Sequence, residues 1–129
     1  MIDLNWYYTL DYPPFTPPVW VFPPAWVILY TLIFISLILF ITKRTNQSKI
    51  AGYVLFFVQM FLNIIWTPVF FTFHNVGLAL VVIILLDIVL YLNIREFYEI
   101  SKKSAYFLIP YLVWVLFAAY LNFGVFLLN

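Results

Sequence analysis

The strongest constraint on this chain is the long run from Ile50 to Ile94, in which Asp87 is the only charged residue. A helix needs about 20 residues to cross the hydrocarbon layer of a bilayer, so the run is too long for one crossing and suits two. The break is predicted at Phe73–Gly77, a polar patch that contains a glycine. The run therefore predicts two membrane-spanning helices, at about residues 50–72 and 76–94.

Two further spans are predicted at about residues 24–42 and 104–128, the second with Pro110 in its first third. Proline suits the first turn of a helix but not its interior, so the first span should begin near Pro23 or Pro24. Backbone polar groups must pair within lipid, and the apolar runs are continuous rather than alternating. We therefore predict an all-α membrane protein of four transmembrane helices, with residues 1–129 as one domain.

Composition excludes several classes of protein. Only 9% of residues are charged, with a net charge of +1, against 67% apolar and 23% aromatic residues. Such a chain cannot cover a water-soluble surface, and it has no basic face for a nucleic acid. It contains no cysteine and one histidine, which excludes disulfides, thiol catalysis and a multi-histidine metal site. We expect no metal, and no catalytic triad, phosphate loop or carboxylate pair is visible.

The positive charges give one consistent orientation. All six basic residues lie in the connections between spans one and two and between spans three and four: Lys43, Arg44, Lys49, Arg95, Lys102 and Lys103. Because cytoplasmic loops carry the excess of lysine and arginine, both connections are predicted to be cytoplasmic and both termini outside.

Residues 1–23 are rich in proline and aromatic side chains. One interpretation is an aromatic belt at the level of the lipid headgroups. The other is a lid over a pocket, since prolines hold a segment in one shape at low entropic cost.

Polar and aromatic residues inside the spans suggest a pocket. Gln59, Asn63 and Trp66 share one helical stripe, which serves either hydrogen bonds between helices or the wall of a ligand cavity. Trp114 and Ala118 share a face in span four, where a small residue leaves room for a ligand or for close helix packing.

Four other residues of interest are aromatic or ionisable: two in span one, one in span three and one in the turn between spans two and three. Trp26 and Tyr30 lie one turn apart near the outer end of span one and by themselves fit a belt or a core. Asp87 is buried by prediction and is a candidate functional group, since a charge at the membrane centre costs at least about 2.5–3.5 kcal/mol. His74 is expected to be a solvated turn residue.

Three blocks of residues together resemble a known family. The first block is Trp6-Tyr7-x-x-Leu10-x-x-Pro13, then Thr16-Pro17-Pro18-x-Trp20-Val21-Phe22-x-Pro24-x-Trp26-x-x-Leu29-Tyr30. The second is Gln59-x-x-x-Asn63-x-x-Trp66-x-x-x-Phe70-Phe71, and the third is Pro110-Tyr111-Leu112-x-Trp114-x-x-Phe117-Ala118-x-x-Leu121-Asn122. In this order they resemble the first loop and the second, third and fifth helices of the TspO/MBR family, the tryptophan-rich sensory and translocator (peripheral benzodiazepine receptor) proteins.

The resemblance implies helices two to five of a five-helix bundle, with a ligand pocket under a lid formed by residues 1–23. The implied function is a sensor or regulator that binds a tetrapyrrole such as a porphyrin, with no other cofactor. The pocket residues that it implies are Trp6, Tyr7, Pro18, Trp26, Tyr30, Asn63, Trp66, Trp114 and Ala118.

Two alternatives to a sensor are kept open. The first is a slow enzyme that degrades porphyrin in light, with Trp26 and Trp114 as candidate redox partners. The second is a small membrane transporter with Asp87 as its proton site. The expected location is a bacterial cell membrane, and the expected partners are lipid, hydrophobic small molecules and a possible second copy of the chain.

Overall fold

The computed structural model describes residues 4–129, and within them four long helices form a bundle. The elements are α1 (Leu4–Tyr8), a 3₁₀ turn (Val19–Val21), α2 (Phe22–Thr42), α3 (Ile50–Phe71), α4 (Val76–Ile100) and α5 (Lys102–Leu128). Each of the four long helices is long and apolar enough to cross a membrane. The predicted all-α membrane fold with four spans is confirmed. The first three residues of the predicted lid lie outside the described residues.

The helix ends follow local chemistry. Prolines stand in the first turn of α2, where no backbone N–H is lost to the helix. The Asn75 side chain caps α4 by accepting a hydrogen bond from the Leu78 N–H at 3.0 Å. Ser101 caps α5 by accepting from the Ser104 N–H at 3.3 Å. These side chains pair backbone donors that the first turn of a helix leaves open.

The connection between α4 and α5 is shorter than the sequence predicts. Span three is predicted to end near residue 94, but α4 continues to Ile100 and α5 begins at Lys102. The prediction used Arg95 as the limit of the hydrocarbon layer. A charged residue ends a membrane span without ending a helix, so α4 carries its last turns beyond the apolar stretch.

The long helices pack in the order α2, α5, α4 and α3. Near the C-terminal ends of α2 and α4, the rings of Phe40 and Phe97 stack with centroids 4.0 Å apart. Gly52 lets α3 approach this pair, because a Cβ at this position would lie 2.5 Å from the Phe40 ring. Its missing side chain therefore allows the aromatic core to close.

A reciprocal pair of hydrogen bonds joins α2 and α5. The Ser36 Oγ donates to the Ser104 carbonyl at 2.7 Å, and the Ser104 Oγ donates to the Ser36 carbonyl at 2.6 Å. Both residues are fully buried. Because small polar residues let membrane helices approach and pair, this contact fixes the register of α2 against α5.

The two ends of the bundle differ in chemistry. The basic end contains the α2–α3 connection and the start of α5, with Lys43, Arg44, Lys49, Lys102 and Lys103. The lid end contains residues 4–21, the α3–α4 turn and the C-terminus of α5. The candidate site lies at the lid end.

Candidate functional site

A cavity of about 400 Å³ lies at the lid end, between the N-terminal segment (residues 4–21) and the ends of α2, α3 and α5. Small-molecule sites occupy roughly 300–1,000 Å³, so the volume suits a ligand. The lining is mainly aromatic and aliphatic, with Thr16, Thr67 and Asn122 among its few polar residues. Among residues 4–129, tyrosines are the only ionisable side chains that line it. The cavity therefore suits an apolar small molecule.

Three tryptophans from three helices form walls of the cavity: Trp26 of α2, Trp66 of α3 and Trp114 of α5. The rings of Trp26 and Trp114 meet edge to face, with centroids 6.4 Å apart and planes at 85°. Edge-to-face contact is favourable because the positive edge of one ring meets the negative face of the other. The two rings also form one continuous aromatic corner between α2 and α5.

The Trp66 ring is held on two sides. Its Nε1–H donates to the Asn122 Oδ1 at 3.0 Å, and the Asn122 amide in turn donates to the Val76 carbonyl at 3.1 Å. Its ring stacks on Phe70, with centroids 5.2 Å apart. A wall fixed in this way loses little conformational entropy when a ligand packs against it.

The N-terminal segment covers the cavity through Tyr7. Tyr7 is 7% exposed and packs on Phe70 and Phe71 of α3. The Tyr12 hydroxyl donates to the Tyr7 carbonyl and closes the segment on itself. Burial raises the pKa of Tyr7 above its usual value. Burial, and then the neighbouring tyrosines, raise the pKa of Tyr12 to about 12. Both phenols therefore stay neutral at physiological pH.

The same segment is tied to α5. The ring of Pro13 seats against Gly124, where a Cβ would lie 2.5 Å from the proline. The Tyr120 hydroxyl donates to the Pro14 carbonyl at 2.7 Å. The Asn129 amide donates to the Asp11 carbonyl at 2.9 Å and accepts from the Asp11 N–H at 3.1 Å. These contacts hold the segment over the cavity.

Five of the nine residues predicted for the pocket line this cavity: Tyr7, Trp26, Trp66, Trp114 and Ala118. The other four do not line it: Trp6, Pro18, Tyr30 and Asn63. Their role in ligand binding stays a prediction, as does that of the five.

Those four residues have other positions. Trp6 stacks on His74, with ring centroids 4.3 Å apart, and His74 itself is exposed in the α3–α4 turn, in line with the expectation. Pro18 is exposed before the 3₁₀ turn. Tyr30 donates to the Asn63 Oδ1 at 2.6 Å, and Asn63 belongs to a buried polar network below the cavity.

Sequence reasoning missed much of the aromatic lining, including Tyr12, Phe22, Phe70 and Phe71. Phe70 lies one turn after Trp66 and extends the predicted stripe, so helical spacing could have identified it. No local signal marks Gly124 as the seat of Pro13, because this contact joins residues far apart in the chain.

Among residues 4–129, no group of three or more histidine, cysteine, aspartate or glutamate side chains could hold a metal ion. The donors at the cavity are indole N–H, hydroxyl and amide groups. Such a set orients a ligand through hydrogen bonds and stacking.

Comparison with known proteins gives a consistent result. The TspO/MBR family matches residues 2–128 of this chain. The chain is 44% identical to the tryptophan-rich protein TspO of Archaeoglobus fulgidus and 39% identical to that of Chlorobaculum tepidum, covering 97% of this chain and 80% of the relative in both cases. It is 31% identical to the translocator protein of Homo sapiens, over 95% of this chain and 73% of the relative.

Proposed function

The chain belongs to the TspO/MBR family, and from this premise we propose that it is an integral membrane sensor or regulator that binds a tetrapyrrole in the lid-end cavity. The single observation that carries the proposal is the cavity itself, which has three tryptophan walls and a cover that includes Tyr7 and Tyr12. Tetrapyrroles are flat, largely apolar rings with a few polar groups at the edge. An aromatic cavity with scattered hydrogen-bond donors complements that chemistry.

The cavity also supports a mode of binding. Trp66 is fixed by its hydrogen bond to Asn122, whereas no hydrogen bond engages the Trp114 indole N–H within residues 4–129. We propose that Trp66 acts as a stacking wall and Trp114 as a wall with a free donor for an acceptor on the ligand. The ligand is then a metal-free porphyrin held by stacking, since no histidine or cysteine of residues 4–129 lines the cavity to ligate a haem iron.

The test is a titration of the purified 129-residue protein in detergent with protoporphyrin IX, in the dark, followed by porphyrin absorbance. Saturable micromolar binding is expected. Replacing Trp66 or Trp114 by alanine should weaken binding at least several-fold, because each removes an aromatic wall. Trp20 offers a matched control, since it is 73% exposed and lies outside the lining, and Trp20→Ala should bind like the parent. Unchanged affinity in both wall variants would remove the cavity as the site.

One contact favours a second candidate, a slow light-dependent oxidation of porphyrin. Trp26 and Trp114 meet edge to face at the cavity, where they could exchange electrons with an excited porphyrin while O₂ serves as the oxidant. Illumination should then change the porphyrin spectrum, and the double variant Trp26→Phe, Trp114→Phe should abolish the change. An equal rate in the double variant would assign the reaction to free solution.

We further propose that the protein lies in a bacterial cell membrane with its basic end in the cytoplasm. The clustering of lysine and arginine at that end supports the orientation. The chain has no cysteine, so a single cysteine can report its side of the membrane. A membrane-impermeant thiol reagent applied to intact cells should label Phe73→Cys at the lid end and not Gln47→Cys at the basic end. The reverse pattern would invert the orientation.

A further inference from the structure

A chain of hydrogen bonds runs from Tyr30, below the cavity, into the centre of the bundle. The Tyr30 hydroxyl donates to the Asn63 Oδ1 at 2.6 Å, and the Asn63 Nδ2 donates to the Tyr111 hydroxyl at 2.7 Å. The Tyr111 hydroxyl then donates to the Gln59 Oε1 at 2.8 Å. Every donor in this chain points the same way, away from the cavity. A chain with one direction needs an acceptor at its end.

The chain ends in a donor without a partner. Gln59 is fully buried, and its Nε2 has no hydrogen-bond partner within residues 4–129. The Oδ1 of Asp87 is also buried and has no partner there. Leaving a buried polar group unpaired costs about 1–3 kcal/mol, and more for a charged group. One atom is a donor and the other an acceptor, so each supplies what the other lacks.

The register of α3 against α4 brings these two groups to the same depth. The Asn93 amide donates to the Gly52 carbonyl at 3.3 Å, which fixes the level at which the antiparallel helices meet. Two helical turns from Gly52 toward the lid end, α3 reaches Gln59. Two turns from Asn93 toward the same end, α4 reaches Leu86. Asp87 is the next residue after Leu86.

Within the described part of the chain, Asp87 has no basic side chain beside it on α4. The Asp87 carboxyl group interacts electrostatically with Tyr111, whose hydroxyl donates to Gln59. The titratable side chains on the helices packed around it are Tyr53 on α3, Lys102, Lys103, Tyr106, Tyr111 and Tyr120 on α5, and Tyr91, Arg95, Glu96, Tyr98 and Glu99 on α4 itself. The lysines and Arg95 lie toward the basic end, two turns or more from Asp87. A carboxylate at this depth is costly, and binding a proton removes that cost.

We propose that Asp87 and Gln59 form a proton-binding site in the middle of the membrane-spanning bundle. The Gln59 Nε2–H donates to the Asp87 Oδ1, directly or through one water molecule, and the Oδ2 carries the exchangeable proton. Uptake of a proton converts the carboxylate to a carboxylic acid, and release returns it. Because the hydrogen bonds behind Gln59 polarise one another, the charge on Asp87 is felt as far as Tyr30, beside Trp26 at the cavity wall.

Infrared difference spectroscopy of the full chain in lipid nanodiscs, between about pH 4 and pH 9, tests the proposal without any ligand. The parent should show the C=O band of a protonated, buried carboxyl that changes with pH, and Asp87→Asn should lack it. Gln59→Leu should keep the band but move it to higher frequency, because the carbonyl loses its hydrogen-bond donor. Glu99→Gln is the matched control, since this exposed acid lies on the same helix, and it should keep the band of the parent.

Tyr111→Phe provides a second variant that does not alter the pair itself. It removes the donor to the Gln59 Oε1, so the Gln59 N–H becomes a weaker donor and the band should move in the same direction by less. Identical spectra for the parent and Asp87→Asn would overturn the proton site. A band that stays in place in both Gln59→Leu and Tyr111→Phe would overturn the pairing of Asp87 with Gln59.

Discussion

Gly124→Ala should detach the N-terminal segment while leaving the helix bundle intact. In the folded protein a Cβ at this position would lie 2.5 Å from the Cβ and Cγ of Pro13, where ordinary contact needs 3.4–4 Å. The proline ring is buried and cannot rotate away, so the segment must move by about 1 Å. Forcing a methyl group into such a contact costs about 1–3 kcal/mol.

The displacement also stretches the neighbouring hydrogen bonds. The bond from the Tyr120 hydroxyl to the Pro14 carbonyl, at 2.7 Å, and the two between Asn129 and Asp11, at 2.9 and 3.1 Å, would approach or exceed the limit of a hydrogen bond. Each contributes about 0.5–1.5 kcal/mol. Alanine favours a helix interior over glycine by about 1 kcal/mol, so α5 itself is stabilised. The segment should loosen as the helix becomes more stable, and this combination separates lid opening from general unfolding.

Two measurements check this prediction. A spin label at Phe15→Cys, which is 89% exposed within the segment, should become more mobile in Gly124→Ala. Porphyrin affinity should fall about tenfold, which corresponds to about 1.4 kcal/mol. Gly77→Ala is the matched control, because its Cβ would come no closer than 3.3 Å to any neighbour, the Phe126 ring, and it should behave like the parent. Parental affinity and mobility in Gly124→Ala would refute the role of the Pro13 contact.

Three further predictions concern stability and pH. Ser36→Ala removes the hydrogen bond to the Ser104 carbonyl and should lower the free energy of unfolding by about 0.5–2 kcal/mol, measured by denaturation in mixed micelles; no loss would mean that the bond is not needed for packing α2 on α5. Gly52→Ala should destabilise the bundle in the same assay, because the added methyl group meets the Phe40 ring. The expected cost is about 1–3 kcal/mol, reduced by the higher helix propensity of alanine. A gain in stability would contradict that contact. The pKa of Tyr12 is raised to about 12, so the stabilising effect of the neutral phenol on the segment is complete below about pH 10 and is lost as the pH rises to about 12. The spin label at Phe15→Cys should become mobile over that range of pH. Tyr12→Phe should remove part of this change in mobility.

The fold could be predicted because lipid leaves few alternatives. Long charge-free runs in a bilayer must form helices, and Pro23 and Gly77 mark where those helices can begin. The residues that share one face of a helix were equally predictable, since spacing alone places Trp114 beside Ala118. The end of α4 was not predictable in this way. The charge of Arg95 indicates where the chain leaves the hydrocarbon layer, but it does not indicate where the backbone stops being helical.

The partners of each face could not be predicted from one helix. Gln59, Asn63 and Trp66 share a stripe, but only Trp66 reaches the cavity. Asn63 and Gln59 instead meet the Tyr111 hydroxyl, whose position depends on how α5 is rotated against α3. Helix rotation is set by the whole bundle, so a pattern in one span cannot distinguish a ligand wall from a hydrogen-bond network.

The tie between Asp11 and Asn129 joins positions separated by 118 residues and has a consequence for biosynthesis. Residues 4–21 are synthesised before α5, which carries Tyr120, Gly124 and Asn129. Tyr7 can pack on Phe70 and Phe71 once α3 is in place, but the ties to α5 must wait until that helix has been inserted. The segment is therefore fully tied down only after α5 has entered the bundle, so tight ligand binding would report that α5 is inserted.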